Sequence, residues 1–348
     1  MKLAPIFSIS VLAAMSLLGC SNQSSNGTTS SEEATVLRFS HFYPATSDIN
    51  KEIFEPWAKK IEADSGGRLK VEVYPSATIS KADTAYESAV KGTIDIGSQV
   101  QGYTSGRFPL SQIAELPGLS NSSTQTGCML QTLYDNGTIS DEYEDSHLLF
   151  MFATGPGTLH STNKLIRTPE DMRGMRIRRP SAVAGDIIES MGASPVGLPA
   201  NDIYTSLQRG VVDGLSFPWE AMETFKLNEL TKYHTNMPFY SSALMVTMNK
   251  AKYEGLPEDL KQVIDDNSGM ALSKKVGAMW DKTYSTQLQA AIDQGDEVVD
   301  ILDPLNDPDW KGPLEKGTKK YLDDVESLGL DAYGVYDKAK EASVVCKV

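Results

Sequence analysis

Apolar residues recur along this chain in two alternating rhythms. From Val36 to His41, Leu37, Phe39 and His41 fall on one side of an extended chain, the two-residue period of a strand. After Ser47, a residue able to cap a helix, Ile49, Ile53, Trp57 and Ile61 recur at four-residue spacing, and Gly66-Gly67 ends the run. Arg68 to Tyr74 alternates again through Leu69, Val71 and Val73. A second helical face (Ala82, Ala85, Tyr86, Ala89, Val90) opens at Ser80 and stops at Gly92, and Ile94 to Gly97 reads as a short buried strand. The order β-α-β-α-β predicts a parallel sheet covered by helices.

The rhythm returns further on. Leu148 to Ala153 is a continuous apolar strand, Thr168-Pro169-Glu170-Asp171 starts a helical turn, and Met175 to Arg178 is extended. Ser181 caps a helix carrying Ala184, Ile187, Ile188 and Met191; Pro195 to Leu198 is extended; Asn201 caps a helix with Ile203, Tyr204 and Leu207 inward. Two segments match: Tyr86 to Asp95 and Tyr204 to Asp213 both read Tyr-x-Ser-x-x-basic-Gly-x-branched-Asp. Each describes the end of an amphipathic helix, a glycine stop and entry into a buried strand, which favours two related lobes. From Leu256-Pro257-Glu258 the chain stays helical through Val263, Met270, Val276, Trp280 and Leu288 to Ile292, a run able to brace both lobes. The tail after Pro304 reads as short helices.

The N-terminus stands apart. Lys2 precedes an apolar run, Ala4 to Leu18, of about 15 residues, short of the roughly 20 that span a bilayer. It reads as a signal peptide over 1–20. Leu17-Leu18-Gly19-Cys20 resembles a lipobox, which makes Cys20 the lipidated first residue of the mature chain. The Ser-, Asn- and Thr-rich stretch within 21–35 is a flexible tether. Cys128 and Cys346 remain, as a disulfide or as two free thiols. With 348 residues and 40% hydrophobic composition, the chain is long enough for two cores. A formal net charge of -14 argues against nucleic acid or an anionic lipid surface as partner.

The candidate chemistry is not catalytic. His41, His147, His160 and His234 lie at no metal-ligand spacing, and no cofactor fingerprint is present. Gly102 to Gly106 centres on Thr104, which is no nucleophile elbow, and Ser161-Thr162-Asn163-Lys164 lacks the partner motifs of penicillin-binding enzymes. The basic segment Arg173 to Arg179 says more. Strand alternation sends Arg176 and Arg178 to one face and Ile177 to the other. A guanidinium at a strand end can grip a carboxylate through paired hydrogen bonds; an exposed patch paired with Glu170 or Asp171 is the alternative.

Several segments, in order, resemble the periplasmic solute-binding proteins of tripartite ATP-independent periplasmic (TRAP) transporters, the DctP-type family. They are Trp57 to Glu62 with Ser65-Gly66-Gly67-Arg68, Val73-Tyr74-Pro75, Gly92 to Ile96, Thr168 to Arg178, Gly192-Ala193-Ser194-Pro195 and Ile203 to Gly214. The resemblance runs from about residue 36 to about residue 335. It implies an α/β fold: a two-lobed periplasmic-binding-protein clamshell with a long helix bridging both lobes, built from 36–155 plus about 245–335 (lobe I) and 156–244 (lobe II). It implies a transport receptor and no enzyme, with no cofactor and no metal. Its partners would be a small organic acid and the membrane permease subunits, it would meet the membrane only through its lipid anchor, and it would be monomeric. A receptor for an ABC-type importer and a ligand sensor for a membrane signalling protein are the alternatives.

The family's carboxylate-binding arginine matches Arg178. Sialic-acid-type members place a second arginine where this chain has Leu159, an asparagine where it has Phe217 and a pocket phenylalanine where it has Ala200. Apolar groups here replace anchors for a ligand with many hydroxyls, and a buried hydroxyl without a partner costs roughly 1–3 kcal/mol. The expectation is therefore an apolar monocarboxylate: aromatic, branched-chain or oxo acid. Loops after the strands add Tyr43, Gln99, Tyr103, Arg107 and Trp219 as candidate site residues.

Overall fold

The computed structural model describes residues 33–347. The expected signal peptide, Cys20 and the tether as far as residue 32 lie outside the described residues. Strands β1 (Thr35–Ser40), β2 (Leu69–Tyr74), β3 (Ile96–Val100), β4 (Ser146–Ser161), β5 (Arg176–Arg179), β6 (Ser194–Gly197), β7 (Gly214–Pro218), β8 (Tyr233–Asn249) and β9 (Glu297–Asp300) form one sheet. Its order is β2-β1-β3-β8-β4-β7-β5-β6, with β9 also beside β8. β1 is parallel to β2 and β3, and β5 is parallel to β6 and β7. The long strands β4 and β8 are antiparallel to each other and run between these two parallel groups. The result is two α/β lobes sharing a sheet. The helices are α1 (Glu55–Asp64), α2 (Ala85–Val90), α3 (Ser123–Asp135), α4 (Ala182–Ser190), α5 (Ala200–Gln208), α6 (Lys250–Glu254), α7 (Glu258–Asp266), α8 (Met270–Asp293), α9 (Lys311–Glu326) and α10 (Ala332–Val345).

The two matched segments occupy equivalent places. Gly92 and Gly210 end α2 and α5 with φ of 72° and 64°, the left-handed stop that glycine adopts without a Cβ penalty. Each is followed by an aspartate with the same task. Asp95 Oδ2 accepts the backbone N–H and side-chain Nε–H of Arg38, at 2.8 and 3.2 Å. Asp213 Oδ2 accepts the same two groups of Arg176, at 2.8 and 3.1 Å. The aspartates anchor β1 and β5 to the strands that follow them, so the two parallel groups are built alike.

Strand alternation divides the core between the sheet's two faces. On β4 and β8, Met151, Ala153, Ala243 and Met245 join one cluster, with α3, α4, α9 and α10. Phe150, Phe152, Leu244 and Val246 join the other, with α1, α5, α7 and α8. The 24-residue α8 is about 36 Å long at 1.5 Å per residue. It packs on α3 and β4, and near its C-terminal end Tyr284 donates to Asn236 of β8 at 3.2 Å. The continuous helical run expected from Leu256 is interrupted at residues 267–269. There Gly269 (φ 74°) donates its N–H to Leu149 and the Asn267 carbonyl accepts from the Trp57 indole, so tertiary contacts override the helical pattern.

Other boundaries also differ from the sequence pattern. Asn201 lies inside α5, whose cap is Pro199, and its amide donates to Phe42 O instead. Segment 311–326 (α9) packs against α4. Gly317 lies against the Ile187 backbone, and Lys320 pairs with Asp186 at 2.7 Å. The question of the cysteines is settled: Cys128 on α3 is bonded to Cys346 at the end of α10. Among the described residues no helix is long and apolar enough to cross a membrane, and no cluster of His, Cys, Asp or Glu is placed to hold a metal ion.

Glu115 lies fully buried where the β3–α3 connection meets β8, its Oε1 accepting the Ala243 N–H at 2.9 Å. Burial pushes its carboxyl up to about 8, opposed only in part by Ser181 and that N–H. The folded chain therefore holds a proton that the unfolded chain releases near 4.5. Stability from this group is fully present below that value and is lost as pH rises through about 8. Denaturant titrations between pH 5 and 8 should show wild type losing up to about 1.4 kcal/mol per pH unit relative to Glu115→Gln; parallel curves would refute the assignment.

Candidate ligand-binding site

Parallel α/β sheets leave a crevice beyond the carboxyl ends of their strands. Here the ends of β1, β3, β5 and β7 converge on a cavity lined by Phe42, Tyr43, Val100, Tyr103, Arg178, Pro180, Phe217 and Phe225 among others. Thr154 of β4 and Ser242 of β8 contribute from the middle of the long strands. They lie where the β4–β8 register shifts, between the Ala153–Ala243 and Pro156–Ser241 pairs, and the Thr154 hydroxyl accepts the Ser242 N–H at 2.9 Å.

Arg178 is 1% exposed. Its Nε–H donates to Leu198 O at 2.8 Å, one terminal nitrogen to Ser216 O at 3.2 Å and the other to the Tyr103 hydroxyl at 3.2 Å. The Ser216 hydroxyl in turn donates to Arg178 O at 3.0 Å, which fixes the backbone of the same residue. The guanidinium also lies 5.3 Å from the centre of the Phe217 ring. Every one of these partners is neutral. Among the described residues no carboxylate lies within ion-pair distance of Arg178, and three neutral acceptors leave donors of the five-donor fork unused. A buried cation without a counter-charge is costly, so this site suits an anion.

The neighbouring arginines differ. Arg176 is exposed and paired with Asp213 at 2.8 Å, and Arg173 is exposed and paired with Glu170. The exposed, acid-paired reading of the basic segment thus applies to Arg173 and Arg176, while Arg178 is buried without an acidic partner.

Tyr103 reaches Arg178 from the other parallel group. Its oxygen accepts from Arg178 and from the Ala200 N–H at 3.0 Å, so its own proton remains for an anion beside the arginine. Burial raises its pKa, which keeps that proton in place. The preceding residue must be small. A Cβ on Gly102 would stand 2.5 Å from Pro180 O and 2.5 Å from the Ser181 Cβ, which brings the two sides into backbone contact across the crevice. Five aromatic rings wall the cavity: Phe42 and Tyr43 stack at 4.1 Å, Phe225 meets Phe217 edge-on at 5.8 Å, and Tyr103 lies 6.0 Å from Phe42.

Of the residues singled out from the sequence, Arg178, Phe217, Tyr103 and Tyr43 come together around this cavity, with Ala200. Four others lie outside its lining. Leu159 packs in the core on the opposite face of the sheet from Phe217. Gln99 is buried and spends its amide on the Tyr86 N–H and the Thr104 hydroxyl. Arg107 pairs with Asp145 at 2.9 Å and covers the Tyr86 and Phe108 rings. Trp219 is buried behind the cavity wall, its indole donating to Asn236 at 3.1 Å beside His160 and His234. Thr154, Ser242 and Phe225 carried no sequence signal as lining residues, because they lie in a strand interior or a connection without a motif.

A second, small cavity adjoins the first and shares Tyr43, Thr154 and Ala221 with it. Glu220 lines it, fully buried, with Oε1 accepting the Gly155 N–H at 2.8 Å and Oε2 without a partner. Burial pushes this carboxyl up to about 8.

Two lobes on one sheet, meeting over a cavity with a buried, unneutralised cation, define a solute-binding protein. Residues 39–323 match the family described as "Bacterial extracellular solute-binding protein, family 7" (DctP), and the chain belongs to that family. Three solved structures show the likeness. A TRAP solute-binding protein from a marine metagenome, specific for aromatic acid ligands and in complex with 3-hydroxybenzoate, is 34% identical; the match covers 90% of this chain and 99% of that one, with a TM-score of 0.85. A TRAP solute-binding protein from Rhodoferax ferrireducens, in complex with copurified benzoate, is 28% identical over 90% and 98% of the two chains, TM-score 0.85. A third, from Bordetella bronchiseptica with bound (R)- and (S)-mandelate, is 25% identical over 90% and 100%, TM-score 0.81. This protein is thus a TRAP-type transport receptor of an extracytoplasmic family, whose members bind small organic acids and work with membrane permease subunits. The ABC-importer and sensor alternatives are not favoured by these matches.

Because the buried charge of Arg178 has only neutral partners, Arg178→Met should leave the ligand-free protein more stable, by about 1 kcal/mol or more. Denaturant unfolding of dialysed protein measures this. A clear loss of stability would mean that the three hydrogen bonds of Arg178 outweigh its unpaired charge.

Proposed function

We propose that this protein is the receptor of a TRAP transporter for an apolar, aromatic monocarboxylate. The observation that carries the reading is Arg178, a buried guanidinium with neutral partners only, set among five aromatic rings. The carboxylate takes its unused N–H donors and the Tyr103 proton, in charge-assisted bonds stronger than neutral ones. The ring of the ligand lies among Phe42, Tyr43, Phe217 and Phe225. Phe217, where sialic-acid-type members of the family have an asparagine, offers no hydrogen bond to a ligand of many hydroxyls. The aromatic acids held by the three related structures support the same class.

Capture proceeds by closure. Arg178 sits on the β5 side of the crevice and Tyr103 on the β3 side, so an anion bridging them favours the shut form. The lobes we propose are 36–155 with about 245–310 on one side and 156–244 on the other, with α9 braced on the second. The dividing points fall in β4 and β8 at the register shift, where a sheet bends most readily. The receptor acts as a monomer in the periplasm, held to the membrane through lipidated Cys20, and delivers its ligand to the permease without making or breaking a bond.

Isothermal titration of the purified mature protein with benzoate, 4-methyl-2-oxopentanoate and glucuronate tests this. Benzoate should bind and glucuronate should not, and Arg178→Met should weaken benzoate by about 30-fold or more. Tighter binding of glucuronate, or equal benzoate affinity in both proteins, would overturn the reading.

A further inference from the structure

Glu220 is a carboxyl group in an unusual position. It follows β7 by two residues, is 4% exposed, and lines the second cavity. One oxygen is held by the Gly155 N–H. The other is buried without a hydrogen-bond partner, and lies 3.0 Å from where a Cβ on Gly155 would stand. A buried polar atom without a partner costs free energy that a packed core residue would avoid. No basic residue pairs with Glu220 among the described residues, so it does not neutralise a charge within the fold. Its neighbours in the cavity, Tyr43 and Thr154, are shared with the Arg178 site. The two cavities therefore adjoin across shared side chains, with Arg178 lining the first and Glu220 the second.

We propose that Glu220 is a specificity-determining residue that hydrogen-bonds a hydroxyl group on the ligand's ring, remote from the carboxylate held by Arg178. The ligand class is a hydroxylated aromatic monocarboxylate. This rests on the aromatic-acid reading and narrows it. The chemistry is self-consistent. A second carboxylate on the ligand would meet an acid here. A phenolic hydroxyl can both accept from the protonated carboxyl and donate to it. The raised pKa keeps Glu220 in that protonated, donor-capable form at neutral pH. A hydrogen bond available to one ligand and denied to its deoxy analogue discriminates strongly, because binding the analogue leaves the buried group unpaired.

The test compares benzoate, 3-hydroxybenzoate and 4-hydroxybenzoate by isothermal titration at pH 7, on wild type, Glu220→Gln and Glu220→Met. At least one hydroxybenzoate should bind wild type about tenfold or more tightly than benzoate. The ratio should fall close to one in Glu220→Met. It should persist in part in Glu220→Gln, whose amide still donates and accepts and still serves the Gly155 N–H. The ratio of affinities, not affinity itself, is the readout, so general loosening of the fold does not mimic the result. Equal binding of all three by wild type, or a ratio unchanged in Glu220→Met, overturns the assignment of Glu220 and leaves the aromatic-acid reading intact. Binding of none of the three overturns both.

Discussion

A guanidinium taken out of water and given only neutral company is the constraint around which this receptor is arranged. The carbonyls of Leu198 and Ser216 orient Arg178 without cancelling its charge, and Tyr103 reaches it from across the crevice. Three dipoles cannot replace the hydration that a cation loses on burial. Closure over an anion removes that deficit. Closure over nothing does not, which makes the shut state conditional on the right occupant. The surrounding aromatic rings add to the constraint, because they exclude the water that would otherwise solvate the charge and they offer little to a polyhydroxylated guest.

The fold supplies this arrangement twice and uses it once. Asp95 with Arg38 and Asp213 with Arg176 make the same contacts in the two parallel groups, so β1 and β5 are structural counterparts. Two residues further along, β1 carries Ser40 and β5 carries Arg178. Related architecture thus positions a small hydroxyl on one side and the charged clamp on the other. The asymmetry needed for capture lies in side chains, while symmetry in the backbone puts both strand ends at the same crevice.

Much of this was legible in the sequence because it rests on local periodicity. The parallel units, the glycine stops at 92 and 210 and the Ser181 cap all follow from spacing and side-chain chemistry. The repeat of Tyr86–Asp95 in Tyr204–Asp213 pointed to the paired lobes. Other features depend on contacts between distant residues. β8 mixes polar and apolar side chains, with the Thr235 and Thr247 hydroxyls satisfied far away in sequence by the carbonyls of Ile166 and His147, and this blurs its strand signal. The break before α8 is imposed by Leu149 and Trp57. For the site, position after a strand singled out Tyr43, Tyr103 and Phe217, which line the cavity. The same rule gave Gln99, Arg107 and Trp219, since it says where a loop is and not which way its side chains turn. Thr154 and Ser242 line the cavity only because β4 and β8 lose register there.

Gly102 sets a mechanical stop. With no side chain at that position, backbone meets backbone at Pro180 across the crevice, and this close approach limits how far apart the two sides stand. The width of the crevice is therefore set at a residue outside the cavity's lining. Any side chain there would prop the jaws apart, admit bulkier molecules and hold all of them more loosely. A transport system could broaden its diet through that one position while the clamp and its aromatic walls stayed as they are.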